Sequence, residues 1–447
     1  RGLGDVYKRQ ASYLQELRGK KRSIDMKKKI TAVLLGAGAR GGVYARYALD
    51  HPDEFQIVAI AEPDTAKREA MKKAHKIPED SVYETWEPLL EQPRFADAAL
   101  ICTMDQMHTG PAVKALELGY HVLLEKPMAV REEDCRRIGA AAEKNKRLLS
   151  ICHVLRYTPF YSEIKRIIDS GRLGKILAVQ QIEHVGYWHQ AHSFVRGNWA
   201  DDTTSSPMIL QKSCHDMDIL SWLTGGTCTK VSSFGSLTHF KPENAPAGAP
   251  SRCLDGCPSS GSCPYYAPRF YLEHPKAVSD GFVSMVTTEP GREKLMEALR
   301  HGPYGRCVYH CDNHVVDHQA VNLEFDNSAV VSFIMTAFTE DCNRTLTLMG
   351  TKGQLTGDMN RNEIRFHLFG SADEEVCCPQ LPDVSAAYHH GGGDYRLIEN
   401  FVAMVREGDF TKNKSSAQQS LQSHLICFAA EKSRLTGKTI ELSFEQE

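Results

Sequence analysis

The sequence contains no apolar run near the roughly 20 residues needed to span a bilayer, which removes the membrane-spanning class. No secretory leader pattern is visible at its start, and no internal repeat or low-complexity tract occurs. It also lacks a surplus of positive charge. Residues 1–25 hold seven Lys/Arg against three Asp/Glu, a surplus of four, and the whole chain is −3; residues 26–447 therefore carry −7. An acidic body argues against a nucleic-acid or anionic-membrane partner. A disulfide framework is missing too. Most of the 14 cysteines stand singly in apolar or helical surroundings, as at Cys102, Cys152 and Cys427, which is the usage of a reduced, cytoplasmic protein.

What is present is 447 residues of ordinary globular composition, 42% hydrophobic and 24% charged, enough for two domains and an insertion. Residues 1–10 look foreign, and Lys20-Lys21-Arg22 leads to Met26. We expect Met26 to be the start and 1–25 to be a non-native or disordered leader. From Met26 the order is strand, glycine turn, helix. Lys29–Leu35 is apolar, Gly36-Ala37-Gly38-Ala39-Arg40-Gly41 follows, and Val43–Leu49 continues as helix. In that context G-x-G-x-x-G predicts a dinucleotide site, because the glycines let backbone approach a pyrophosphate and the helix N-terminus offers N–H groups. A second strand, Phe55–Ala61, ends at Glu62, 21 residues after Gly41, where an acid binds the adenosine ribose. Glu62 favours NAD; Arg40, Lys67 and Arg68 keep NADP open.

Alternation continues through a helix at Thr65–Lys76, a strand at Ala98–Thr103 and a helix at Pro111–Leu118, predicting a doubly wound parallel sheet over 26–149. His121–Leu124 is a further buried strand, and Glu125, Lys126 and Pro127 follow it. Ligands of such sheets bind beyond the carboxyl ends of the strands, so Lys126 is a candidate for chemistry.

These pieces resemble the Gfo/Idh/MocA family of nicotinamide-dependent oxidoreductases, which includes glucose–fructose oxidoreductase and inositol dehydrogenase. The resemblance rests on the Gly36–Gly41 loop, Thr103-x4-His108, Glu125-Lys126-Pro127, and Lys212-Ser-Cys-His215-Asp216-Met-Asp218. It implies that Lys126 is catalytic or orients substrate beside the nicotinamide, with Thr103, His108 and Glu125 in the cofactor site. It also implies that 150–447 is an α/β domain on an open, mostly antiparallel sheet, through which the chain would form a homo-dimer or homo-tetramer. Arg156 stands where the family often places a substrate-contacting Arg; packing or an ion pair is the alternative. The aromatic, His-rich stretch Tyr187–His192 with Trp199 suits a sugar, or a buried corner.

Met208–Leu223 reads as one helix, on which Gln211, His215 and Asp218 share a face. The family pattern has Asp where this chain has Gln211. The expected chemistry moves a hydride between nicotinamide and a secondary alcohol of a sugar, polyol or sugar derivative. His215 takes the proton and Lys126 donates to the oxygen. An NAD-dependent, redox-assisted glycoside hydrolase and a non-catalytic sugar sensor are the alternatives. His389–Asp394 reads as a mobile polar loop that could close on substrate, or as a surface linker.

One insertion, about 241–312, is unusual. It contains Cys253-x3-Cys257-x5-Cys263 and Cys307-x3-Cys311. Clustered thiols suggest a structural zinc site or, second, an iron–sulfur cluster; unligated thiols are the alternative.

Overall fold

In the computed structural model, residues 28–443 are described, apart from 280, 382, 384–387 and 389. The expected leader and His389 lie outside the described residues. The first sheet is built by short apolar strands: β1 Ile30–Leu35, β2 Phe55–Ala61, β3 Val82–Tyr83, β4 Ala98–Ile101, β5 His121–Leu124 and β6 Leu149–Ile151. Their order is β3-β2-β1-β4-β5-β6, all parallel. This is the doubly wound arrangement, with its switch point between β1 and β4. β1 and β4 read as continuous apolar runs because helices cover both faces. The crossover helices are α1 Ala39–Asp50, α2 Thr65–His75, α3 Trp86–Glu91, α4 Thr109–Leu118 and α5 Glu132–Asn145.

After α6 Pro159–Asp169 and β7 Ile176–His184, the expected helix at Met208–Leu223 is two pieces. Met208–Gln211 stops, and α7 Cys214–Thr224 starts after Ser213 (φ −98°, ψ 7°). The apolar periodicity runs through both pieces, so the sequence pattern does not register the break. β8 Cys228–Ser236 precedes the insertion, whose helices are α8 Ala267–Glu273, α9 Pro275–Ser279, α10 Phe282–Val286 and α11 Arg292–His301. The sheet resumes with β9 His318–Phe325, β10 Val330–Thr336, β11 Asn343–Gly350, β12 Gly353–Asp358, β13 Glu363–Leu368 and β14 Glu374–Cys377, and closes with β15 Ile440–Glu441. Its order is β14-β13-β12-β11-β7-β10-β9-β8-β15, antiparallel except for β10 with β7.

Two late helices tie the halves together. α12 Gly393–Glu407 puts Leu397, Ile398, Phe401 and Val402 into the same apolar core as Ile30, Leu34 and Tyr44. α13 Ala417–Thr436 is started by a Ser416/Gln419 capping box. It sends His424 to accept the Met128 N–H at 2.7 Å. The boundary near residue 150 is thus crossed by chain from the far end. No helix among the described residues is long and apolar enough to cross a membrane.

Candidate active site

The glycine loop follows β1. At Gly36 (φ +90°) a Cβ would fall 2.5 Å from the Cys102 carbonyl oxygen, and at Gly41 a Cβ would lie 2.1 Å from that of Gly36. Both positions therefore require glycine. Gly38 differs: nothing lies within 4 Å of where its Cβ would stand, so that side of the loop is open. No side chain caps α1, and no acid occupies its first turn. Its leading N–H groups and positive dipole end suit a pyrophosphate. Glu62 turns back to the loop and accepts N–H bonds from Ala37 (2.6 Å) and Asp64 (2.9 Å). A dinucleotide fits this cradle, with a carboxylate at the ribose end.

Arg40, expected at the cofactor, is committed to carboxylates. Its Nε meets Glu125 at 2.7 Å and its Nη2 meets Asp394 at 2.5 Å. Burial acts to raise both acids, but Arg40 outweighs it and holds each below the usual carboxylate range. Glu125 also accepts from Tyr44 OH (2.9 Å) and from the Lys126 backbone N–H (2.8 Å). Thr103 keeps a buried hydroxyl without a protein partner. His108 sits between two carbonyls, Pro127 O (2.8 Å) and Thr103 O (3.1 Å), and braces the loops from below.

Lys126 follows β5, and its Nζ donates to the Gln211 carbonyl at 2.8 Å. The helix break after Gln211 leaves that carbonyl available. Lys126, Gln211 and His215 line one cavity of about 570 Å3, within the range of small-molecule sites. His215 Nδ1, Gln211 Oε1 and Ser193 Oγ on its wall are buried without protein partners. Burial, then the Lys126 charge, pushes the His215 pKa well below 6.5, so the ring is neutral.

Two expected residues are not brought into this cavity. Arg156 and Asp218 form a buried two-pronged ion pair (Nε–Oδ2 2.6 Å, Nη2–Oδ1 2.8 Å), and Arg156 also donates to the Lys414 carbonyl at 2.8 Å. Sharing a helix face placed Asp218 near His215 in direction, but one turn further on that face meets Arg156. The pair braces the interior beside the cavity.

Other side chains were missed. Arg344 on β11 bonds Glu183 (2.8 Å) and Asp216 (2.8 Å), and Lys212 lies 3.4 Å from Glu183. One signal was legible: Glu183 occupies an inward position of β7, in step with Val179 and Gln181. His390 was not missed: it belongs to the His389–Asp394 segment read as a loop that could close on substrate, and it lines the cavity, its Nδ1 3.0 Å from Asp394 and the His215 ring 5.9 Å away. From the aromatic stretch, His189 and Trp199 line the wall, whereas Trp188 packs into the insertion.

The zinc expectation finds no support in the ligand spacing. Among the described residues, the one group of three or more ligands within 4.8 Å of one another is Asp201, Asp202 and His314, which includes no cysteine.

Comparison with known proteins agrees with this geometry. Residues 30–153 match the GFO_IDH_MocA model, an oxidoreductase family NAD-binding Rossmann fold, and residues 165–442 match the C-terminal alpha/beta domain of the same family. Among curated relatives, inositol 2-dehydrogenase of Corynebacterium glutamicum (strain R) is 27% identical over 46% of this chain and 57% of its own length. The scyllo-inositol 2-dehydrogenase (NAD(+)) of Bacillus subtilis (strain 168) is 28% identical over 48% and 59%. The chain thus spans little more than half the length of these two. A solved levoglucosan dehydrogenase, in complex with NADH and levoglucosan, has the same fold (TM-score 0.66, 16% identity, 93% of this chain and 99% of that one).

Proposed function

Because the chain belongs to the Gfo/Idh/MocA oxidoreductases, a family of NAD-binding sugar and polyol enzymes, we propose that it oxidises a secondary alcohol of a sugar, polyol or sugar derivative. The observation that carries this reading is the convergence of Lys126 and His215 on one cavity beside the glycine loop. NAD, held at Gly36–Gly41 with its ribose on Glu62, supplies the hydride-accepting ring. The Glu62 carboxylate repels a 2′-phosphate and so favours NAD over NADP.

Lys126 Nζ, already aimed by the Gln211 carbonyl, donates to the alcohol oxygen and stabilises charge developing there. His215 is kept neutral, so it has a lone pair to accept the proton. Gln211 Oε1 and Ser193 Oγ meet neighbouring hydroxyls, and Trp199 offers an apolar face. Asp394 orients His390 as a second imidazole in the cavity. It stands in for the carboxylate support that Gln211 cannot give. The outer face of the nine-stranded sheet is the contact with a second copy.

The test is reduced-nicotinamide absorbance with NAD and with NADP, across a panel of polyols, free sugars and aryl glycosides. Alcohol-dependent reduction of NAD is expected. Release of aglycone without net reduction identifies a redox-assisted glycosidase instead, and binding without either identifies a sensor.

A further inference from the structure

The insertion holds a group of side chains that sugar oxidation does not use. Cys253, Cys257, Cys263 and Cys307 line one small void, with Arg196 and Tyr265 beside them. Two distant segments meet there because Arg252 and Arg306 form an antiparallel bridge. The Cys253 N–H donates to the Gly305 carbonyl and the Cys307 N–H to that of Ser251, both at 2.9 Å. Strand alternation about this bridge places Cys253 and Cys307 on the same face, at diagonal positions. Diagonal neighbours stand roughly 7–8 Å apart, beyond the ~5.5–6 Å usual for a disulfide. The fifth cysteine is set aside: Cys311 Sγ donates to the Cys307 carbonyl at 3.2 Å and does not line the void.

A second observation concerns charge. Arg196 is buried, and its guanidinium donates to the carbonyls of Arg306 and Tyr265, both at 2.7 Å. Its Nη2 also points at Cys253 Sγ from 3.7 Å, and the Ala267 N–H points at the same sulfur from 3.5 Å. No carboxylate forms an ion pair with Arg196 among the described residues. A buried cation without an anion is costly. Thiolates bound to metal supply that anion, since ligation removes the thiol protons.

We propose that Cys253, Cys257, Cys263 and Cys307 hold a four-iron iron–sulfur cluster, with Arg196 as its buried counter-charge. Spacing selects the cluster over a single zinc. Zinc with ~2.3 Å bonds needs tetrahedral sulfurs ~3.8 Å apart, and no three cysteine sulfurs among the described residues lie within 4.8 Å of one another. A cluster spreads its ligands, because each thiolate caps a different iron. Four thiolates leave no iron open, so the cluster is structural. It ties 253–263 to 307 in the insertion whose helix α10 presents Phe282 and Met285 to the active-site cavity.

The test is anaerobic reconstitution of the full chain with ferrous iron and sulfide, followed by metal and acid-labile sulfide analysis. About four of each per chain are expected. Cys263→Ser and Cys307→Ser should each lose most of the bound iron, while Cys378→Ser, at an exposed cysteine, keeps it. Should the first two variants fail to fold, alkylation of the wild type decides. Iron loading should protect Cys253, Cys257, Cys263 and Cys307 and leave Cys378 reactive. One zinc per chain without sulfide, no iron after reconstitution, or alkylation of all four thiols in the loaded protein would each overturn the proposal.

Discussion

Lys126 Nζ reaches the cavity from the Rossmann side, while the carboxylate that accepts its backbone N–H, Glu125, stays behind in the Arg40 and Tyr44 network. Removing the ammonium therefore leaves the cofactor cradle standing. Lys126→Ala is expected to lower kcat about 10²–10⁴-fold with NAD affinity nearly unchanged, as read by steady-state kinetics and a cofactor titration. Near-normal turnover contradicts the assignment. His215 makes a second claim, about pH. Burial, and after it Lys126, lowers its pKa below 6.5. A base with a lowered pKa stays competent above that pKa and fails only as pH falls through it. kcat/KM is expected to hold level from roughly pH 8 down to 6.5 and to decline only below that. A wild-type decline centred at or above 6.5 that is absent in His215→Gln speaks against it. Lys126 and the glycines were legible because spacing along one strand–loop unit fixes their surroundings. Arg344 was not, because strand pairing brings it opposite Glu183 across a long stretch of chain.

At the scale of elements, strands β1, β2, β4 and β5 and helices α1, α2 and α4 were legible from apolar runs and glycine turns, each within a few residues of its observed bounds. The short strand β3 and the helices α3 and α5 were not singled out, and the other failures were junctions. The break at Lys212–Ser213 lies inside an unbroken apolar pattern, and the Arg156–Asp218 brace joins the turn before α6 to α7 by a contact no periodicity encodes. That brace predicts stability effects rather than binding effects. Arg156→Ala leaves Asp218 buried without its partner, and a broken buried pair costs about 3–5 kcal/mol. Replacing both, as Arg156→Met with Asp218→Leu, should recover most of the loss, since the apolar pair needs no desolvated charge. Denaturant unfolding measures both. A substrate contact would behave differently: Arg156→Ala would raise KM in a protein of unchanged stability.

For the whole molecule, the nine-stranded sheet has one face buried against α6, α7 and α13, while the other is only partly polar. Along β10, Val331, Phe333 and Met335 are buried, whereas Val330 and Ile334 alternate outward at 50% and 39% exposure. Phe234 on β8 points the same way at 64%. The alternation of β10 was legible in the sequence, but neighbouring strands do not announce that their outward apolar residues fall side by side. That depends on register, here Ile334 opposite Ile182 on β7 and Ala320 on β9, with Phe234 of β8 opposite Ala320 in turn. Apolar side chains aligned across strands of an open sheet form a patch of the kind that marks an interface. A second copy meeting it face to face would give a closed two-fold pair. Placing a carboxylate at its centre sets like charges against each other across the symmetry axis, at a cost of several kcal/mol. Ile334→Asp is therefore expected to shift the full chain from dimer or tetramer toward monomer in sedimentation velocity at micromolar concentration, with the NAD-binding half still folded. A wild type that already sediments as a monomer, or a variant that keeps its assembly, removes this face as the contact.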